Sequence, residues 1–474
     1  MPELPEETLF QTLDGLGARL RDGSLKAKDL ADACLDRLER IGPRLNAVVL
    51  LLRNDAMDQA RDADNLFKRG RFKGPLHGIP YGAKDLLSVA SRRTEWGAPP
   101  FKGQVFKESA TVIRKLKSAG AVLAAKLSMI ELAGGGGYRY ASASATGPCR
   151  NPWDLTRWAG GSSSGSAAAV AAGLVPFALG SETSGSIITP CAFCGVTGLR
   201  PTYGLVSRAG AMALSWTLDK IGPIARSAED CGRILEAIAG GDPADAGSAR
   251  KGYRYAPQWA MKPGDLRVGF SKADIAEHAD AELREPLRHA LEQVQALGVR
   301  MVEISLPDRP YSSIVSTIIG AEAASIFEDL IEDGRIQQLK DARQAAGLVE
   351  ASSIPAVDYL RACRLRTLIR EDFAKLFGTV DLIFTPARYS VAPPIDEPLD
   401  RPSGAGNRAT GGLRSMIAAG NLAGLPALSV PCGFAGGLPV AFSLVGRPFT
   451  ENTILSIGTQ YQKRTNWLSR HPVL

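Results

Sequence analysis

The side chains that could act as a base or nucleophile narrow the chemistry early. Only four histidines occur, His77, His278, His289 and His471. A hydrolase that activates serine through imidazole needs one of them beside its nucleophile. The string Gly161-Ser162-Ser163-Ser164-Gly165 matches a G-x-S-x-G elbow with Ser163 as nucleophile. Such an elbow follows a strand directly, whereas Asn151–Trp158 reads as a loop. His278 and His289 fall in a charged helical stretch and His471 near the end of the sequence. The elbow is therefore disfavoured. Cys191-Ala192-Phe193-Cys194 is a lone C-x-x-C without a second pair or nearby histidine, which predicts buried thiols rather than a zinc or redox site. No phosphate-binding G-x-x-x-x-G-K-[ST] loop is present. Ser248-Ala249-Arg250-Lys251 is an S-x-x-K string without companion motifs. Lysine remains as a base. In Gly78-Ile79-Pro80-Tyr81-Gly82-Ala83-Lys84-Asp85 the residue before proline is extended, and Lys84 is carried toward the apolar pair Leu86-Leu87. A lysine deprotonates serine only when neutral, and burial favours that form. Pairing of Lys84 with a carboxylate is the competing reading, and the segment taken alone favours it.

Small residues crowd into three clusters: Gly134–Gly137, Gly160–Ser166 and Gly180–Ser186. A flexible linker would explain them, but apolar helix and strand patterns lie between the clusters. Glycine in such places permits positive φ or close approach of backbone to a ligand. Backbone N–H groups freed in this way can hold an anion or an oxyanion.

The elements that must position these clusters alternate. Residues 24–41 form an amphipathic helix that Ser24 can cap and Gly42-Pro43 stops. Further helices are predicted near 54–68, 109–118, 165–172, 228–239 and 280–297. Strands are predicted at 121–127, 175–179, 266–270, 300–305, 381–385 and 427–430. Helices alternating with apolar strands define an α/β architecture around a large sheet. Gly240–Gly264 is a linker or a surface loop. Apolar residues make up 45% and charged residues 22%, which excludes a disordered chain. The seven cysteines lack disulfide-type spacing, Met1–Phe10 has no apolar signal region, and no run is long enough to span a bilayer. A cytoplasmic protein without membrane contact is expected. Lys68, Arg69, Arg71 and Lys73 read as a solvated helix end, because no aromatic residues alternate with them as nucleic-acid platforms would.

Taken together the motifs resemble the amidase signature family. Lys84 stands in a Gly-Ile-Pro…Lys-Asp setting, and Gly160–Gly173 looks like the core signature. Gly185-Ser186-Ile187 with Gly198-Leu199-Arg200-Pro201-Thr202, Asn421–Pro426, Leu444–Pro448 and Pro43-x-x-Asn46-Ala47 extend the likeness over nearly the whole chain. The resemblance implies an α/β amidase signature fold, a large mixed twisted sheet with helices on both faces, formed as one domain over 1–474. Its parts are an N-terminal helical segment at about 1–70, the core at about 75–230 and a variable substrate-loop region at about 240–410. It implies a Ser–Ser–Lys triad: Ser186 as nucleophile, Ser162 as the bridging serine after a cis Gly161–Ser162 bond, and Lys84 as base. Ser163 would hold Ser162 in place. The N–H groups of Thr183, Ser184, Gly185 and Ser186 would form the oxyanion hole. No metal or organic cofactor is required.

The sequence departs from the family at several positions. Ala159, Ser164, Glu182 and Ser184 replace a usual proline, glycine, aspartate and glycine. Ile188 stands where many members carry arginine, which argues against an acidic group held at that spot and against the closest kin of the glutaminase component of glutamyl-tRNA amidotransferases. Arg200 is assigned to structure. Tyr138, Tyr140, Trp158, Arg208 and Met212, with the stretch 310–360, are candidates to line the substrate pocket. The expected reaction is cleavage of C–N bonds in small-molecule amides, aryl amides or carbamates (urethanes), and of esters, by a monomer or homodimer. The alternative is the glutaminase component of a tRNA-dependent amidotransferase. A third reading, a scaffold without chemistry, conflicts with the joint presence of Lys84, Ser162 and Ser186.

Overall fold

The computed structural model describes residues 4–400 and 411–474. Its strands are β1 (Val48–Leu51), β2 (Pro80–Lys84), β3 (Val122–Leu127), β4 (Arg150–Asn151), β5 (Asp154–Trp158), β6 (Phe177–Glu182) and β7 (Thr197–Arg200), then β8 (Lys220–Ala225), β9 (Arg267–Phe270), β10 (Arg300–Glu303), β11 (Leu382–Pro386), β12 (Ala427–Ala435) and β13 (Leu438–Gly446). Eleven of them form one sheet in the order β1-β3-β2-β6-β8-β7-β12-β13-β11-β9-β10. β2 runs parallel to both β3 and β6, and β9 is parallel to β10 and β11. The remaining pairs are antiparallel, so the sheet is mixed. Every residue of β2, β3, β6, β8 and β13 is buried. Helices cover both faces, and strands covered on both sides lose the alternation of polar and apolar residues. This is why β3, read from the sequence as a short apolar run, is buried along its whole length.

The predicted helices form within a few residues of their expected limits, at Ala27–Arg40, Arg53–Lys68, Thr111–Ser118, Ser164–Ala171, Ala228–Ile238 and Ala281–Gln295. Two local expectations are corrected. Ser24 does not cap the first of these; its hydroxyl donates to the carbonyl of Arg19. The cap comes from a distant residue, Asp64, whose carboxylate accepts the N–H groups of Ala27 and Lys28 at 2.8 and 3.0 Å. That helix ends at Arg40, just before Gly42-Pro43 as expected, and these two residues begin a short second helix, Gly42–Leu45, where proline at a first-turn position sacrifices no hydrogen bond. The segment 151–158 is not a loop: β4 and β5 pair as a hairpin outside the main sheet. Among the described residues no helix is long and apolar enough to cross a membrane.

Candidate active site

Lys84 is the last residue of β2, and register decides what it meets. Ala83 pairs with Leu179 of the parallel neighbour β6, so Lys84 lies level with Gly180, near the C-terminal part of that strand. Its side chain is buried, and Nζ donates to Ser162 Oγ at 2.7 Å, Ser163 Oγ at 3.0 Å and Ser181 Oγ at 2.9 Å. Among the described residues no carboxylate is bonded to it. The reason is strand geometry: successive side chains point to opposite faces. Asp85, one residue on, faces the other way and pairs with buried Lys126 at 2.8 Å. Pairing with a carboxylate, which the segment alone favours, therefore falls to the neighbouring lysine. Burial holds the Lys84 ammonium down to about 7, although the carboxylates of Asp219 and Glu182 pull in the other direction.

The two glycine-serine clusters supply the rest. The Gly161–Ser162 peptide is cis. The helix Ser164–Ala171 begins two residues later and packs on β2 and β6, which brings its first turn under Lys84. Ser163 Oγ donates to the carbonyl of Ser181 and accepts from Ser181 N–H and from Lys84. That use of its hydrogen matters when Lys84 is neutral. An uncharged amine has two hydrogens and one lone pair, so one of three hydroxyls must donate to it. Ser163 has no hydrogen left to give, which leaves Ser162 and Ser181. A Cβ on Gly180 would lie 3.0 Å from Ser163 Oγ, so a side chain there would crowd this contact.

The loop after β6 carries Ser186. The carbonyl of Ser186 accepts from Ser163 N–H at 3.3 Å, which ties the two clusters together. Gly185, at φ +90, adopts the left-handed backbone that lets the chain turn into Ser186. Among the described residues no hydrogen bond uses the N–H groups of Thr183, Ser184, Gly185 or Ser186. Glu182 holds the far side of this loop. One oxygen accepts from the N–H groups of Ile187 and Ile188, the other from Arg200 and Asn421. Burial works against its ionisation, but Arg200 and Lys220 outweigh it and hold the carboxyl at about 2. Lys220 donates to Asn421 Oδ1 at 2.6 Å, and Asp219 accepts from Thr183 Oγ1 at 2.6 Å. Replacing Glu182 by Gln should cost about 3–5 kcal/mol, because Arg200 is left buried without its counter-charge. Urea denaturation at neutral pH measures it. A loss below about 1 kcal/mol would contradict the assigned role.

Arg208 and Met212 line a cavity of about 190 Å³ beside the loop, together with Leu86, Ser181, Thr183 and Asp219. Arg208 also pairs with Asp245 at 2.6 Å. Tyr138 and Trp158 stand at Gly161: a Cβ there would lie 2.8 Å from the Trp158 ring and 3.3 Å from the Tyr138 hydroxyl. Tyr140 is exposed and packs against the Arg139 guanidinium. In the 310–360 stretch, Asp341 accepts from the N–H groups of Arg139 and Tyr140, which docks that region on the Gly134–Gly137 loop. The histidines are engaged elsewhere or exposed. His77 packs on Phe67, His278 pairs with Asp274, His471 stacks on Phe10, and His289 is exposed. Cys191 and Cys194 are buried free thiols pushed well above their usual range by burial. Sequence reasoning missed Ser181, Asp219, Lys220 and the Asp85–Lys126 pair. Ser181 had a signal, since it lies in the third cluster; the others are recognisable only from strand register.

A buried lysine bonded to three serine hydroxyls, next to a glycine-bent loop, is the arrangement that the comparisons with known proteins place in a family. The Amidase family model matches residues 29–455, and the chain belongs to that family, the amidase signature enzymes. The chain is 37% identical over 492 positions to the A component of a glutamyl-tRNA(Gln) amidotransferase from Carboxydothermus hydrogenoformans, covering 99% of this chain and 100% of that one. Among solved structures it resembles native peptide amidase from Stenotrophomonas maltophilia, with a TM-score of 0.84, 31% identity and 99% of each chain covered. It also resembles the corresponding A component of the glutamyl-tRNA(Gln) amidotransferase from Thermotoga maritima, with a TM-score of 0.77, 27% identity, and 98% of this chain and 97% of that one covered.

Proposed function

We propose that the chain hydrolyses amide C–N bonds through Ser186, Ser162 and Lys84. The observation that carries this is a buried lysine held near neutrality with serine hydroxyls as its hydrogen-bond partners. Neutral Lys84 takes a proton from Ser162, and Ser162 takes one from Ser186. Ser186 Oγ attacks the carbonyl carbon, and the oxyanion develops against the N–H groups of the 183–186 loop. The proton returns through Ser162 to the departing nitrogen, which needs it because an amine anion is a poor leaving group. Water then enters by the same relay and releases the acid.

Two amide sources fit this chemistry. The curated relatives favour the side-chain amide of glutamine, with the chain working as the glutaminase component of a tRNA-dependent amidotransferase. Free-standing hydrolysis of alkyl or aryl amides, carbamates or esters is the other. Its support is the apolar Ile188 two residues after Ser186, on the wall of a cavity shared with Leu413, Met416 and Ile417. Incubation of the purified chain with a phenylmethyl sulfonyl fluoride and peptide mass spectrometry tests the mechanism. Label on Ser186 is expected; label on Ser163, or none, overturns it. Ammonia release from glutamine that appears only with partner proteins supports the first source. Turnover of a panel of simple amides and carbamates by the isolated chain supports the second.

A further inference from the structure

Among the described residues the buried arginines are committed. Arg200 donates to Glu182 and to the carbonyl of Leu425. Arg366 donates to the carbonyls of Leu422 and Thr217. Arg37 donates to the carbonyl of Ala172 and pairs with Glu6, and Arg226 donates to the carbonyls of Leu468 and Arg470. Arg388 differs. It follows β11, its Nε is buried without a hydrogen-bond partner, and among the described residues no carboxylate pairs with it. Its guanidinium lies 5.6 Å over the Phe193 ring, and the titratable groups that face it are the phenols of Tyr138 and Tyr389. The Tyr389 hydroxyl is given to Asp274 at 2.7 Å. Burial pushes the Tyr138 phenol up to about 12 against the pull of Arg388, so it brings no negative charge at neutral pH.

The position of this cation gives it meaning. Phe193 and Tyr138 both meet Trp158, with ring centroids 6.4 and 6.1 Å apart. The same rings close on the glycines before Ser162: a Cβ on Gly160 would lie 3.1 Å from Phe193, and one on Gly161 would lie 2.8 Å from Trp158. Arg388 therefore stands on an aromatic wall built against the Gly160–Ser162 turn. A partly desolvated guanidinium without a counter-charge is costly. Its planar fork matches a carboxylate, and the aromatic faces pre-orient it. Ile188 leaves the position two residues after the nucleophile apolar, and Arg388 brings a cation from the segment after β11. We propose that Arg388 anchors a carboxylate on the acyl side of the substrate, which makes the preferred substrate an amide that also bears an acid group. This rests on the hydrolase reading above.

The chemistry is shared by half-amides of dicarboxylic acids and by the α-carboxylate of glutamine, and matched substrates separate these sources. The test compares succinamic and glutaramic acids with neutral succinamide and glutaramide, and glutamine with its methyl ester. Arg388→Gln should lower kcat/KM for the acid substrates by about 100-fold, mostly through KM, and leave the neutral amides within about threefold. Arg388→Lys should recover part of the loss. Equal effects on acid and neutral substrates, or no effect on either, overturn the proposal. Calorimetric titration with succinate and glutarate keeps the test independent of turnover. Binding by the wild type that is lost in Arg388→Gln, with an unchanged thermal midpoint, supports the anchor even if Ser186 takes no sulfonyl label, in which case only the hydrolase reading falls. Absence of dicarboxylate binding to the wild type, together with equal turnover of acid and neutral amides or none, sinks the anchor.

Discussion

Lys84→Ala should lower kcat/KM for amide hydrolysis by about 1,000-fold or more, because the reaction loses both its base and the hydrogen-bond partner that orients Ser162. Lys84→Arg should be nearly as inactive: guanidinium keeps its proton at any working pH, so a fit of size and charge cannot restore a base. The wild type should show kcat/KM rising with pH and levelling above about 7, where the buried amine becomes neutral. The direction follows from the chemistry, since the charged form cannot accept a proton. The same depressed ionisation affects stability. Between about 7 and the usual 10.5 the unfolded chain keeps a proton on this lysine that the folded chain has released. Stability from this group therefore rises with pH across that interval, and its charged form is disfavoured in the fold below it. Steady-state kinetics with either variant decide the matter. Activity within about tenfold of wild type in Lys84→Arg would exclude lysine as the base.

Ser162→Ala should separate proton return from nucleophilic attack. An amide nitrogen must be protonated as it leaves, whereas p-nitrophenolate departs without help. The variant should lose about 1,000-fold in kcat/KM on an anilide and markedly less on the matching p-nitrophenyl ester. Ser163→Ala is the control. It removes a hydroxyl that bridges Lys84 and the β6 backbone, so both substrates should suffer alike and the melting temperature should fall. Equal losses on anilide and ester in Ser162→Ala would place this serine in positioning rather than in the relay.

Much of this was legible without a fold. Histidine scarcity and the glycine- and serine-rich clusters narrowed the chemistry, and the resemblance to the amidase signature family turned the reading to lysine-based serine chemistry. The helices could be found because an amphipathic repeat is local information. Ser24 and the 151–158 hairpin show the limit of such reading. Both were judged from neighbours in sequence, yet Ser24 yields its helix to Asp64, and β5 is defined only by its partner strand. The site has the same division. The family resemblance implied Lys84, Ser162 and Ser186, but the residues around Lys84 could not say whether it would meet a carboxylate.

Register settled that. The sequence by itself determined which side chains could do the chemistry, because reactivity belongs to residue type and local backbone. Only the tertiary structure decided their states. Strand alternation gives Asp85 to Lys126 and leaves Lys84 with hydroxyls, and parallel pairing of β2 with β6 delivers Ser181. The Arg388 guanidinium belongs to the second class as well. Its lack of a counter-charge and its place beside the Gly160–Ser162 turn depend on packing between segments far apart in the chain, which no local pattern encodes.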